Sequence, residues 1–533
     1  MTEPRANLLA PSLEAACSLW ADRPAITFRD RTISYAELWA QIDALGRAYQ
    51  RLGVQRGDRI VCQLRNCPEH IVAIGAAWQA AAIHAGTDND LTGRELAWLV
   101  DNTRASVLVY QPPFRAEDPR AAVRDVQLTR PETLVVLHEA ERDEGGQIAL
   151  PALLEMGAGL SPLSPEERRT LGPDDTALLL LTSGTTGKPK AVMETLPACW
   201  AKMQFFTDAF RPGPDDVMLL FLPIAHVFGL RLALLTLLSG GRLVLMDRFS
   251  PEAALGVVAA EGVTVLPGMP THFRLLLGAL DPDRHDVRSL RWAVSAASAL
   301  PRELVEEIYG RLAGDLLYVY GCSENFTTLT TDREEILRGS VGKTVFRAPE
   351  GEPPDGTVRI VDPNDHTTPL PPREVGEIAF GARRPVHYWR APDTATDGWY
   401  YTGDLGRLEE DGSLYVIGRL KELVNRGGLK VAPSEVEVVL ADHPDIVDAA
   451  IVGRPDPVLG ESICACIVPG DDGAPALVEL RLYLGRYLAR HKLPDELCVV
   501  ERIPRTKIGK VDRPALLASV MTQGGPCERL RPR

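Results

Sequence analysis

Residues 178–192 read LLLLTSGTTGKPKAV: four leucines, apolar on both faces as in a strand of a covered parallel sheet, and then at once hydroxyls and glycines. This is the pattern of a strand delivering a loop. Thr182, Ser183, Thr185 and Thr186 supply hydroxyls, Gly184 and Gly187 let backbone N–H groups approach a ligand, and Lys188 and Lys190 add positive charge. The loop therefore suits an anionic polyphosphate. It is not a P-loop, which needs Gly five residues before its Gly-Lys pair and Ser or Thr after it; this chain has Thr182 and Pro189 in those places.

The chain around this loop is long enough for more than one core. At 533 residues it is expected to form two or more domains, and 45% hydrophobic residues suffice to fill them. A formal net charge of −14 argues against nucleic acid or an anionic membrane as the main partner, since either needs a cationic face. Nine cysteines include no C-x-x-C pair, and neither Cys62 with Cys67 nor Cys464 with Cys466 has His or Cys ligands at zinc spacing. Scattered reduced thiols, a cytoplasmic setting and no structural metal are the expectation. The N-terminus carries acids early and has no long apolar core, unlike a secretory signal. The most apolar window, Val217 to Leu238, is interrupted by Pro223, His226, Gly229 and Arg231, so no transmembrane helix is expected.

In chain order, ITFRDRTISYAEL reads as two short strands followed by a helix starting near Ser34, where Glu37 completes a capping box. Helix and strand then alternate through GVQRGDRIVCQL and the Ala-rich residues 71–83, which is α/β wiring. No function attaches to HAGTDNDLT, residues 84–92. From Pro112 to Asp175 the sequence loosens and reads as a peripheral strand with connectors, and no internal repeat is visible.

TSGTTGKPK resembles the signature loop of the AMP-forming adenylating superfamily, which includes acyl-CoA synthetases, stand-alone carrier-protein-loading adenylation enzymes and luciferases. Further segments follow in that family's order. FLPIAHVFGL (Phe221 to Leu230) resembles the segment with a histidine at the carboxylate end of the acyl pocket, here His226, and VTVLPGMPTHFRLLL (Val263 to Leu277) resembles one wall of that pocket. LLYVYGCSENFTT matches a Y-G-x-[ST]-E motif through Tyr320, Gly321, Ser323 and Glu324. The resemblance implies that Tyr320 stacks on adenine, Ser323 contacts the α-phosphate and Glu324 helps hold Mg²⁺, for which a hard carboxylate is suited. By the same resemblance Asp404 in TGD and Arg419 contact the ribose, Lys421 is a hinge, Gly427 and Gly428 form the loop presented to the thiol acceptor, and Lys510 in PRTKIGKVDR is the adenylation lysine. Lys507 reads as surface charge, and Asp411 with Gly412 as a hairpin turn.

Several positions depart from the family's pattern. HAGTDNDLT stands where a Pro- and Asn-bearing loop is usual, Ala191 replaces a Gly, and Leu196 with Pro197 replaces a His-containing helix start. Ser295 to Ala299 (SAASA) replaces Ser-Gly-Gly-Ala-Pro, putting methyl groups where glycine hydrogens would be. With Phe326, this favours a short or flat acid.

The resemblance implies an α/β fold: a large N-terminal domain of α/β subdomains, residues 1–420, binding ATP and the acid, and a small mobile α+β domain, residues 421–533, carrying the lysine. The expected reaction is ATP-dependent ligation of a small carboxylic acid to coenzyme A, through an acyl-adenylate, with release of pyrophosphate and AMP. The alternative is a stand-alone adenylation enzyme of secondary metabolism, activating an aryl or small acid for the phosphopantetheine of an acyl carrier protein or for another nucleophile. A catalytically dead nucleotide sensor is disfavoured by the joint presence of Glu324, Asp404, Arg419 and Lys510. Monomer and homodimer are both compatible with the sequence.

Overall fold

The computed structural model describes residues 9–113, 118, 120–143, 146–164, 167–182, 190–296, 298–324, 326–344, 357–366, 368–381, 387–391, 398–470, 473–506, 510–522 and 527–529. A large N-terminal domain contains three sheets and a smaller C-terminal domain one.

The leucine run forms strand Thr176–Thr182, as its pattern requires. Leu178 and Leu180 point into one hydrophobic core and Leu179 into another, so alternate side chains fill the two layers that cover the sheet. This sheet has seven strands, in the order Ile148–Ala149, Leu134–Leu137, Val107–Tyr110, Arg59–Gln63, Ile83–Thr87, Thr176–Thr182 and Lys190–Thr195. All neighbours are parallel except the last pair, the hairpin carrying the Ser/Thr/Gly loop.

A second, nine-stranded sheet has a parallel centre and antiparallel edges. Its edge hairpin and following helix are legible locally: strands Pro24–Phe28 and Arg31–Ser34 lead into helix Tyr35–Arg51, whose Ser34 and Glu37 make the expected capping box. The apolar window divides into strand Val217–Leu220 and helix Val227–Leu238, the latter buried from Phe228 to Leu238. Among the described residues no helix is long and apolar enough to cross a membrane.

The two sheets are clasped by Asn66, which donates to the Leu222 carbonyl at 2.9 Å and accepts from the Ile224 N–H at 2.9 Å. A four-stranded antiparallel sheet follows, ending with the hairpin Trp399–Leu408 and Leu414–Arg419. Gly412 has φ +84° at its turn, and the Asp411 carboxylate accepts from the Ser413 N–H. After the single turn Leu420–Glu422, Val424 opens the six-stranded sheet of the smaller domain.

The thiols require a correction. Cys498 and Cys527 form a disulfide, because strands Glu496–Val499 and Cys527–Arg529 pair antiparallel with these two residues opposite each other. The other seven cysteines are thiols outside any disulfide, as expected.

Candidate active site

Strand Asp315–Gly321 ends at Tyr320 and Gly321, at the carboxyl end of a parallel strand, where open α/β sheets bind ligands. The Tyr320 hydroxyl donates to Asp404 Oδ2 at 2.8 Å. Asp404 is the cross-strand partner of Arg419, and its Oδ1 lies 2.7 Å from Arg419 Nε. Gly403, at φ +72° in the left-handed region, turns the chain into this position, its N–H held by Glu377 Oε1 at 2.8 Å. Asp404 is 7% exposed, so one buried carboxylate is shared by a phenol and a guanidinium, each on its own oxygen. Each oxygen keeps a second lone-pair direction in which to accept a sugar hydroxyl. Burial, and next the Asp404 charge, push the Tyr320 phenol well above its ordinary range, so it stays a neutral donor.

Lys510 joins this cluster from the smaller domain. Burial lowers its ammonium from the usual lysine range and Arg419 adds to the effect, while Asp404, Glu422 and Cys322 oppose it. Its backbone carbonyl accepts from the Thr506 N–H at 2.7 Å, and Arg505 bridges to Val511, so the backbone at the lysine is paired with residues 505 and 506. Arg513 anchors the chain just after the lysine, bonding Glu422 Oε2 at 2.9 Å, Glu437 Oε1 at 2.6 Å and the Ile451 carbonyl at 2.8 Å. The turn after Arg419 is thereby tied to the lysine segment.

A second cluster lies around Glu324. Its Oε1 accepts from the Tyr388 hydroxyl at 2.7 Å, and its backbone carbonyl accepts from Lys202 Nζ at 3.0 Å. Lys190 Nζ is 5.3 Å from the Tyr388 ring centroid. One tyrosine thus holds the acid at its hydroxyl and the lysine over its ring. Residues 387–389 are pinned along the loop's return strand by the Met193 N–H to the His387 carbonyl and the Trp389 N–H to the Ala191 carbonyl, both 2.9 Å. Behind them, Glu194 takes Lys202 at 2.6 Å and the fully buried Arg231 at 2.7 Å. Burial alone would raise the Glu194 carboxyl, but Arg231 and Lys202 together hold it below the usual range. Glu194 is therefore neutralised in place, whereas the half-buried Glu324 offers the hard oxygen donor that Mg²⁺ requires.

His226 caps helix Val227–Leu238, with Nε2 2.9 Å from Asp88 Oδ1. Asp88 belongs to HAGTDNDLT, which carried no function in the sequence reading.

Thr182 and Lys190 are cross-strand partners at the base of the hairpin that carries the Ser/Thr/Gly stretch. Ser183, Gly184, Thr185 and Thr186 lie outside the described residues, as do Lys188, Lys507 and the side chain of Phe326. Ser323 is half-buried in the bend beside Glu324. Lys421 occupies the turn Leu420–Glu422. Gly427 and Gly428, at φ +60° and +86°, turn between strands Val424–Arg426 and Leu429–Val431. This hairpin bonds within the smaller domain, Gly427 N–H to the Leu459 carbonyl at 2.7 Å and Arg426 to Asp495 at 2.7 Å.

Of the expected residues, Tyr320 and Arg419 meet at Asp404 with Lys510 near Arg419 and Asp404, and Lys190 and Glu324 meet at Tyr388. Asp88, Tyr388, Lys202, Glu194 and Arg513 were missed. Arg231 did leave a signal, a charge inside an otherwise apolar helix, which when buried needs a buried acid.

Residues 13–384 match the family described as AMP-binding enzyme, and residues 435–510 match the AMP-binding enzyme C-terminal domain. The 2-hydroxy-7-methoxy-5-methyl-1-naphthoate–CoA ligase of Streptomyces carzinostaticus is 32% identical over 514 residues, covering 91% of this chain and 88% of its own. The 2,3-dihydroxybenzoate-AMP ligase of Bacillus subtilis is 32% identical over 515 residues, covering 94% and 91%. Among solved structures, ATP-bound MatB from Rhodopseudomonas palustris superposes with a TM-score of 0.81 at 27% identity, covering 95% of this chain and 99% of its own.

Proposed function

This chain belongs to the AMP-binding enzyme family, the AMP-forming adenylating superfamily, and from that premise we propose that it is an ATP-dependent ligase that joins an aryl or other small flat carboxylic acid to coenzyme A. The observation that carries this reading is that Lys510, from the smaller domain, lies in the electrostatic reach of Arg419 and Asp404, the carboxylate that Tyr320 and Arg419 share. In the first half-reaction a carboxylate oxygen attacks the α-phosphorus of ATP and pyrophosphate leaves. Negative charge grows on the phosphoryl oxygens, and the Lys510 ammonium, already held in place, stabilises that charge more in the transition state than in the separated ground state. Asp404 and Arg419 hold the ribose, Tyr320 lies against adenine, and Ser323, Lys190 and the residue 182–186 hydroxyls and amides receive the phosphates. Glu324 would hold Mg²⁺, which would supply charge neutralisation at the phosphates. His226, set by Asp88, lies at the carboxylate end of the acid site.

In the second half-reaction the thiol sulfur attacks the acyl carbon, AMP leaves and the thiol proton passes to solvent. Rotation about Lys421 replaces Lys510 with the Gly427–Gly428 hairpin, dividing the chain into working units 1–420 and 421–533. The aryl preference rests on the two relatives, whose names specify a naphthoate and a dihydroxybenzoate, and on the methyl-lined Ser295–Ala299 stretch. The dihydroxybenzoate-AMP ligase also supports a second reading, in which the acceptor is the phosphopantetheine of a carrier protein.

Pyrophosphate release across aryl, short-chain and long-chain acids, each with and without coenzyme A, tests both readings. Sustained turnover that requires coenzyme A and produces AMP is the expected result. A single burst that coenzyme A does not relieve points to the carrier protein. No pyrophosphate with any acid refutes both.

A further inference from the structure

Strand Leu134–Leu137 ends at His138, whose N–H donates to the Tyr110 carbonyl at 2.9 Å, and helix Pro68–Gln79 starts directly after Cys67. Both ends lie at the same edge of the seven-stranded sheet, because Arg59–Gln63 and Leu134–Leu137 run parallel on either side of Val107–Tyr110. His138 Nε2 is consequently 3.6 Å from Cys67 Sγ, across 71 residues of sequence, and 3.3 Å from Glu69 Oε2. The three ligand atoms all lie within 4.8 Å of one another. Cys67 is 2% exposed at the N-cap of the helix, its sulfur beside the Glu69 and His70 backbone N–H groups.

Sulfur and carboxylate converge on the same ring nitrogen. A nucleophile relay would use one nitrogen for the sulfur and the other to orient the base, so this is not a relay. Convergence on one nitrogen is what a shared central ion produces. A tetrahedral ion with Zn–S of about 2.3 Å and Zn–N and Zn–O of about 2.0 Å separates sulfur from nitrogen by about 3.5 Å and nitrogen from oxygen by about 3.3 Å. The observed 3.6 Å and 3.3 Å are those separations. Thiolate with imidazole selects zinc over magnesium or calcium, which prefer oxygen ligands throughout.

We propose that Cys67 Sγ, Glu69 Oε2 and His138 Nε2 bind one Zn²⁺, with water completing the tetrahedron. Binding releases the Cys67 thiol proton to solvent. The site adjoins Asn66, the clasp between the two large sheets, which holds Leu222 and Ile224 just ahead of His226. The ion fixes the start of helix Pro68–Gln79 and so steadies that clasp. The sequence spacing hides the site, since its third ligand comes from a different strand.

The test uses the full chain, stripped with a chelator and titrated with Co²⁺, then with Zn²⁺ as competitor. The expected result is a thiolate-to-cobalt charge-transfer absorption that saturates at one Co²⁺ per chain, is displaced by Zn²⁺, is lost in Cys67→Ser and is weakened in His138→Gln, with unchanged circular dichroism. Absence of the band in the wild type overturns the proposal. So does a band that survives Cys67→Ser, which would place the metal at other thiols. Should Cys67→Ser not fold, Glu69→Gln and His138→Gln decide: Zn²⁺ affinity equal to wild type in both overturns the assignment.

Discussion

At the scale of single residues, the molecule works by setting charges in dry places. Lys510 is held near Arg419 as well as Asp404, an arrangement that burial and Arg419 make unfavourable for the ammonium and that transition-state charge would relieve. Lys510→Ala is expected to slow adenylate formation roughly a hundred- to thousandfold, about 2.7–4 kcal/mol for one such contact. A preformed acyl-adenylate should still be converted to thioester at nearly the wild-type rate. Pyrophosphate exchange and single-turnover thiolysis measure the two steps separately, and equal losses in both would contradict the assigned role. Glu194 is the opposite case, an acid that only neutralises. Glu194→Gln leaves Arg231, 0% exposed, and Lys202 without their shared carboxylate. Breaking such a buried pair commonly costs about 3–5 kcal/mol. Urea unfolding should show that loss, and a midpoint within error of wild type would show that the pair is replaceable.

At the scale of elements, close packing sets where the loops can go. Helix Val227–Leu238 begins against its own approach segment: a Cβ on Gly229 would meet the Pro223 carbonyl oxygen at 2.3 Å and its carbon at 2.8 Å. These are backbone atoms, so they yield only if the segment moves, and the segment carries His226. Gly229→Ala should therefore destabilise the protein by about 1–3 kcal/mol and raise KM for the acid more than it lowers kcat. Denaturation together with steady-state kinetics checks this; unchanged stability and KM would mean that the helix start is less constrained than its contacts imply. The legible elements are those specified by their own residues. Ser34 and Glu37 cap a helix they both belong to, and the leucine run alternates into two cores.

At the scale of the whole molecule, the two domains meet through a carboxyl pair as well as through Lys510. Asp442 follows helix Pro433–Ala441 of the smaller domain and bonds Glu303, on helix Arg302–Glu307 of the larger. Burial, and next Glu303, raise the Asp442 carboxyl to about 7 against the opposing charge of Arg274, and Tyr483 donates to the Asp442 carbonyl at 2.9 Å. A carboxyl whose pKa is raised on docking keeps its proton in the docked state after the separated state has lost it. The contact, with its proton on Asp442 and its charge on Glu303, therefore weakens as pH rises above the ordinary carboxylate range and has lost its shared proton above about 7. Distance measurements between labels on the two domains, without substrates, should show undocking as pH rises through about 7, and Asp442→Asn should abolish that dependence. The same dependence in both proteins would exclude this pair as its source.

The family, the leucine strand, the capped helix after Ser34 and the identities of Tyr320, Asp404, Arg419 and Lys510 are written in short stretches, because strand alternation, capping and motif chemistry each act over a few neighbouring residues. What joins those stretches is not local. Lys202 reaches the Glu324 carbonyl across 122 residues and Tyr388 reaches its carboxylate across 64. His226 meets Asp88 of an unassigned segment, and Cys498 finds Cys527 only because two strands pair. Such contacts leave no periodic trace in the chain, since a buried charge requires a partner of opposite sign but does not dictate where in the sequence that partner lies. Folding settles that choice, and with it the electrostatics of the site.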